Sequence, residues 1–403
     1  MPAKKEFLIE PTRNGCEIEF QNGKFRELPN SAAVVTPAQK ITSAPSLSTS
    51  LSNLELFLLW LLSGGVFLLV LTHFQAYGAR VDAFGDNLSY LAAAKGIQHW
   101  KFQGVNVKQF WGLPYLIAGF SWMHLSPRFS LLTVSMLSSL GSMFLARRLW
   151  GPWIAAFFAI CNFTWLQVSF LGGAEPLFVL LLFSSFLLIR NHNWTAATVF
   201  ASLATLVRPL GIFALFGIGL SLLRRKDYRK AVLCTIIAVF IGGLYLFPFA
   251  IYFHDPLYQV HQYRQADWQS GPAIGWPFHA IIISLLHNRE PWTNVVFTCG
   301  WIIFAAIGLY RLLIQRLPDN LSKLAPEMIF AVTCLIFLFC YNSVHWARAE
   351  FPRFVIPVVP FLLLTFDRWL PRSRYVMYGL CIVSSVLGAC SALGIRNVVT
   401  ALR

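Results

Sequence analysis

The chain has 403 residues, of which 57% are hydrophobic and only 12% charged. Soluble domains carry roughly 25% charged residues, so an ordinary soluble enzyme is excluded. Repeated apolar runs near the ~20 residues needed to cross a bilayer instead predict an all-α polytopic membrane protein. The formal net charge of +15 does not point to nucleic acid, because the basic residues sit in short clusters between apolar runs, as in cytoplasmic loops.

Residues 1–50 read as a flexible, polar cytoplasmic tail, and residues 51–403 as the membrane domain. Within the tail, 16–28 alternate around Asn22-Gly23, which is a hairpin signal. Apolar segments follow at about 54–74, 110–126, 129–146, 152–171, 174–189, 194–207, 209–223, 231–253, 292–314, 327–344, 354–370 and 375–395. A shorter piece, 278–287, is expected to lie along the interface. In lipid each backbone polar group must be satisfied within its own segment, so these runs are helices, giving roughly ten to twelve crossings.

Basic clusters at 147–148, 224–230, 311–316 and 368–374 mark the cytoplasmic side. Loops 75–109 and 254–277 then share the outer face. Extending this pattern back to a cytoplasmic N-terminus forces one of 110–126 and 129–146 not to cross, and the first, broken by Gly112, Pro114 and Gly119, is the weaker candidate. Alternatively 194–223 is one broken crossing around Arg208-Pro209, which moves Glu175 inside.

Ionisable residues at the rim of a membrane span cost a few kcal/mol and so mark candidate sites. Asp82 and Asp86 follow the first apolar run and would share a face if their segment is helical. There a carboxylate can serve as a general base on an acceptor hydroxyl, although the same acids fit a solvated pair neutralised by Arg80 and Lys95. Glu175 stands beside Pro176 between two apolar runs, where it either enters a cavity or simply favours a helix N-terminus. Arg208 precedes a helix-breaking Pro209 and offers a guanidinium fork for a phosphate, or else snorkels to the interface.

The outer loop containing His261, Tyr263, Arg264 and Asp267 mixes imidazole, aromatic ring and charge as a sugar-phosphate pocket would. Arg348, Glu350 and Arg353 gather before the run at 354–370, suited either to an anionic head group or to an ion pair. The eight cysteines are scattered without zinc or disulfide spacing. No metal site is predicted, a divalent metal has no support in the ligand spacing, and no cofactor is expected. Nucleotide-binding, zinc-protease and serine-hydrolase motifs are missing.

Taken in order, several short motifs resemble the GT-C class of integral-membrane glycosyltransferases, which includes protein O-mannosyltransferases, the aminoarabinose transferase acting on lipid A, and GPI mannosyltransferases. They are Gly85-Asp86-Asn-Leu-Ser-Tyr90 followed by Ala92-Ala-Ala-Lys-Gly96, then Phe110-Trp-Gly-Leu-Pro-Tyr-Leu116 and Ala146-Arg-Arg-Leu-Trp-Gly151. Glu175-Pro-Leu-Phe178, Arg208-Pro-Leu-Gly211 and Arg353-Phe-Val-Ile-Pro-Val-Val-Pro360 complete the set. The chain departs from the class in Trp111 before Gly112, where proline is common, and in lacking a large soluble outer domain after its helices.

The resemblance implies a GT-C-like bundle with a helical first outer loop. It also implies inverting transfer of a sugar from a polyprenyl-phosphate donor to an acceptor hydroxyl on lipid, glycan or protein. The setting would be the outer face of a bacterial inner membrane or the equivalent lumen. Asp86, with Asp82 second, is then the base, and Arg208, Arg264, Arg348 and Arg353 clamp the donor phosphate. A transporter or flippase of a lipid-linked or anionic solute is the alternative. It calls for inverted repeats and ionisable residues near the midplane, whereas here the ionisable residues gather at one rim. A silent scaffold in an envelope-polymer complex is a third reading.

Overall fold

The structure is a computed structural model that describes residues 50–102, 109–264, 274–286, 292–316, 325–342 and 351–394, with Phe20–Gln21 and Lys24–Phe25. In the N-terminal unit those two pairs form β1 and β2, an antiparallel ladder with Phe20 opposite Phe25. The second unit, from Thr49 onward, is helical.

It opens with α1, Asn53–His73, whose start is fixed by a reciprocal cap: Ser52 Oγ accepts from the Glu55 amide and Glu55 Oε2 accepts from the Ser52 amide. Two short helices follow, α2 (Tyr77–Ala83) and α3 (Asn87–His99), then α4 (Gly112–Trp122) and the long α5 (Pro127–Trp150). α6 (Pro152–Ala159) and α7 (Phe163–Phe170) meet at a 68° bend. The segment 152–171 is thus not one straight helix. Asn162 restarts it by accepting from the Trp165 amide.

Next come α8 (Glu175–Arg190), α9 (Trp194–Val207), α10 (Ile212–Arg224) and α11 (Tyr228–Phe253). The remainder comprises α12 (Tyr258–Arg264), α13 (His279–Leu286), α14 (Trp292–Arg311), α15 (Pro326–Cys340), α16 (Phe351–Val355), α17 (Val359–Thr365) and α18 (Arg374–Leu393).

Among the described residues five helices are long and apolar enough to cross a bilayer, or six with the bent pair. The chain is an integral membrane protein. The apolar run at 194–223 forms helices of 14 and 13 residues, shorter than a full span. Shortness is tolerated because their ends meet protein, where backbone groups find partners, and not hydrocarbon. By contrast α11 turns Ile236, Val239, Phe240, Leu244 and Phe247 outward, as a lipid-facing helix does.

The helices run between two ends of the bundle. At one, Arg190 at the close of α8 pairs with Glu327 at the start of α15 (3.0 Å) and donates to the Leu149 carbonyl at the close of α5. Arg374 pairs with Glu55, bringing together the starts of α18 and α1 (3.3 Å). Arg225 stacks over Trp194 with its guanidinium 5.0 Å from the ring centre, and Cys234 Sγ lies 3.8 Å from the Trp194 carbonyl oxygen. The start of α9, the end of α10 and the start of α11 therefore lie together. It follows that α9 and α10 form an antiparallel pair, and the alternative of one broken crossing through 194–223 does not hold. This is the basic end.

The opposite end holds α2, α3 and α4. Gly112 at the start of α4 packs on the Leu206 backbone near the end of α9, and Arg128 at the start of α5 pairs with Asp82. At 11 residues, or about 16 Å at 1.5 Å per residue, α4 stays at this end and does not cross. Serines 135, 139 and 142 on the inner face of α5 let the backbones approach closely. Ser135 Oγ donates to the Gly173 carbonyl (3.0 Å) and accepts from its amide (3.1 Å), which pins the turn carrying Glu175.

Candidate functional site

Three junctions between helices meet at the end opposite the basic clusters. Glu175 opens α8, Arg208 follows α9 in an extended conformation (φ −144°, ψ 132°), and Arg353 lies in α16. All three are buried, at 3%, 8% and 7% relative exposure. Two guanidiniums converge on one carboxylate oxygen. Glu175 Oε1 pairs with Arg208 and accepts from Arg353 Nη2 (2.7 Å) and Nε (3.0 Å). Burial of two cations against one anion is costly unless other partners complete the site. Arg208 Nε and Glu175 Oε2 have no hydrogen-bond partner among the described residues.

The same Arg353 reaches the first loop of this end. Its Nη2 is 3.9 Å from Asp86 Oδ2, and its guanidinium lies over Phe84 at 5.6 Å. Gly85 makes this approach feasible in two ways. Its φ is +50°, and a Cβ there would sit 2.7 Å from Arg353 Nη1. α2 stops at Ala83 and Phe84 is extended (φ −79°, ψ 120°), so Asp82 and Asp86 do not lie on one helical face. Asp82 instead pairs with Arg128, both partly exposed. Arg80 donates to the Leu393 carbonyl (2.7 Å) and so does not neutralise either acid among the described contacts.

Asp86 precedes α3 without its carboxylate capping that helix. Oδ1 accepts from Gln109 Nε2 (2.8 Å), and the side chain is 29% exposed. Behind it, Asn87 anchors the loop by donating to the carbonyls of Val81 (2.7 Å) and Leu171 (2.9 Å). Tyr90, one turn into α3, is buried within the field of Arg208, Asp86, Glu175 and Arg353, and burial pushes its phenol above the usual range. It stays a neutral hydroxyl.

A hydrogen-bonded chain extends from Asp86. The Gln109 carbonyl accepts from Gln259 Nε2, Gln259 Oε1 accepts from Tyr245 (2.7 Å), and the Tyr245 hydroxyl accepts from the Trp111 amide (3.0 Å). Gln259 also lines an apolar cavity of about 300 Å³ with Phe110, Pro209, Leu210, Phe213, Phe337 and Tyr341. Pro209, the residue after Arg208, is part of the cavity lining, so the apolar chamber adjoins the chain segment that carries the buried guanidinium.

The remaining expected residues are placed differently. His261 pairs with Asp255 (2.8 Å) and is half exposed, and among the described residues it makes no contact with the Glu175 cluster. Asp267, Arg348 and Glu350 lie outside the described residues, as do the side chains of Tyr263 and Arg264. Among the described residues there is no group of three or more His, Cys, Asp or Glu side chains able to hold a metal. Tyr90 was named from the sequence only as the end of the Gly85–Tyr90 motif, and Gln109, Tyr245 and Gln259 were not singled out as site residues. Gln109 closes the polar interval 75–109, its one local hint. Gln259 lies in the outer loop with His261 that the sequence marks as a candidate pocket, whereas Tyr245 carries no signal beyond being polar in an apolar run.

No protein-family model matches the chain, and no curated protein matches it. Among solved structures it is similar to ArnT from Cupriavidus metallidurans, a crystal structure described as bound to undecaprenyl phosphate, at 16% identity and a TM-score of 0.48. The likeness covers 79% of this chain and 61% of that one.

Proposed function

We propose that this chain is a membrane-embedded glycosyltransferase of the GT-C class. It transfers a sugar from a polyprenyl-phosphate donor to an acceptor hydroxyl, with inversion. The reaction takes place at the end opposite the basic clusters, which the positive-inside rule makes the outer face of a bacterial inner membrane or the equivalent lumen. The observation that carries this reading is the buried Arg208–Glu175–Arg353 cluster, with Asp86 3.9 Å from Arg353 and an apolar cavity lined by Pro209, the residue after Arg208. The ordered sequence motifs supply the reaction class.

On this reading the prenyl chain occupies the cavity and its phosphate meets Arg208, whose buried Nε has no acceptor among the described residues. Guanidinium forks suit phosphate oxygens, and fixed donors at a charged leaving group stabilise the transition state. Glu175 holds both arginines in place before the donor arrives. Asp86 takes the proton from the acceptor hydroxyl as its oxygen bonds to the anomeric carbon. The bond from that carbon to the phosphate oxygen breaks, and its electron pair leaves on the polyprenyl phosphate. Gln109 orients Oδ1 of Asp86, and Oδ2, 3.9 Å from Arg353 Nη2, is the oxygen that would take the acceptor proton.

The test is to reconstitute the full chain in vesicles with a polyprenyl-phosphate sugar labelled in the sugar, using native membranes as the acceptor source. Label in a new covalent product, with release of polyprenyl phosphate, is expected. Label carried into the vesicle lumen with donor intact would overturn the reading in favour of a transporter.

A further inference from the structure

The basic end carries a second cavity that the transfer reaction does not use. It is a groove of about 790 Å³ between α1, α5 and α8, lined by Asn53, Gly141, Phe144, Leu145, Arg147, Arg148, Leu180, Ser184 and Leu187. That size falls in the range of sites that take whole small molecules, roughly 300–1,000 Å³. Its chemistry is graded. Asn53, at the start of α1, and Arg147 with Arg148, in the last turn of α5, stand at the rim. From there α5 descends through Leu145 and Phe144 to Gly141, about 10 Å at 1.5 Å per residue, while α8 supplies Leu187 and Leu180 alongside.

What marks this groove is that two arginines line it together with apolar side chains. Several other arginines at this end have partners: Arg190 has Glu327 (3.0 Å), Arg372 has Asp367 (2.9 Å), Arg374 has Glu55 (3.3 Å), and Arg225 has the face of Trp194. Among the described residues no carboxylate pairs with Arg147 or Arg148, although Arg147 is only partly exposed. Two adjacent cations, left without acids and placed above an apolar trough, complement an anion joined to a hydrocarbon chain. A basic pocket between transmembrane helices at a membrane surface is suited to an anionic lipid head group.

We propose that this groove binds one anionic phospholipid from the leaflet that meets the basic end. The head group lies between Arg147, Arg148 and Asn53, and an acyl chain follows α5 and α8 past Ser184 towards Gly141. The proposal does not depend on the glycosyltransferase reading, because it uses neither the cavity nor the charges of that site.

The test is native mass spectrometry of the purified full chain titrated with phosphatidylglycerol and, separately, with phosphatidylcholine. The wild type is expected to retain one phosphatidylglycerol about thirtyfold more tightly than phosphatidylcholine, the scale set by two basic residues near an anionic lipid. Arg147→Gln with Arg148→Gln should abolish that preference, and Arg147→Lys with Arg148→Lys should keep most of it. Ser184→Phe, which leaves every charge in place but fills the trough, should lose the retained lipid. Thermal unfolding identifies any variant that has lost its fold, and the lysine pair supplies the charge comparison independently of it. Equal retention of the two lipids by the wild type overturns the proposal. So does a phosphatidylglycerol preference that survives in folded glutamine or Ser184→Phe variants, or competition by glycerol phosphate as strong as that of the lipid.

Discussion

The two ends of the bundle each bury an acid at the first turn of a helix beside a proline, Glu175 before Pro176 and Glu327 after Pro326, and each acid binds arginine. They differ in charge balance and in surroundings. At the basic end one guanidinium meets one carboxylate and also the Leu149 carbonyl, and the pair ties α5, α8 and α15 together. At the other end two guanidiniums share one carboxylate, a second acid stands 3.9 Å beyond, and an apolar cavity opens beside Arg208. A buried ion pair alone is weak grounds for function. Two guanidiniums sharing one buried carboxylate, beside a chamber and a partly exposed second acid, are the features on which the proposed anionic ligand rests.

Substitutions at the two ends should separate structural from functional pairing. The largest effect is expected from Glu175→Gln, which leaves Arg208 and Arg353 facing each other without their anion. Removing one partner of a buried pair costs about 3–5 kcal/mol, so thermal unfolding in detergent should fall sharply and transfer should be lost with it. Next is Arg208→Lys, which keeps a charge but not the fork. The fold should survive while the apparent affinity for a polyprenyl phosphate drops about 10- to 100-fold, the scale of a lost charge-assisted hydrogen bond.

Gln259→Leu interrupts the chain from the cavity to Asp86. A several-fold fall in kcat with little change in donor binding is expected, about the ~1 kcal/mol of one neutral hydrogen bond. The smallest effect on transfer should come from Glu327→Gln, which lowers the unfolding temperature yet leaves turnover per folded molecule unchanged. If Glu327→Gln depressed turnover as strongly as Glu175→Gln, the contrast between the ends would disappear.

Hydropathy made the membrane helices legible, because lipid punishes unsatisfied backbone and exposed charge in every long span. The costly junction residues Glu175, Arg208 and Arg353 were legible for the same reason. Their meeting was not, since it joins positions 178 residues apart through the packing of α8, α9 and α16. The division between Asp82 and Asp86 depends on the backbone of Phe84 and Gly85, where a positive φ ends one helix before the next begins. Four-residue spacing presumes a continuous helix, and that break invalidates it. The relay through Gln109, Gln259 and Tyr245 was not legible as a relay, because amides and phenols near apolar runs are ordinary. The 68° bend between α6 and α7 was signalled only by Asn162, a capping residue inside an otherwise apolar run.

The most direct measurement compares Asp86→Asn with Asp82→Asn in a transfer assay using a polyprenyl-phosphate sugar labelled in both sugar and phosphate. Loss of a general base typically costs about 10²- to 10⁴-fold. Asp86→Asn should fall by that amount with donor binding retained, while Asp82→Asn, whose exposed pair with Arg128 contributes about 0–1 kcal/mol, should stay near wild type. Full transfer by Asp86→Asn, or equal losses in the two variants, would contradict the assignment of Asp86 as the base.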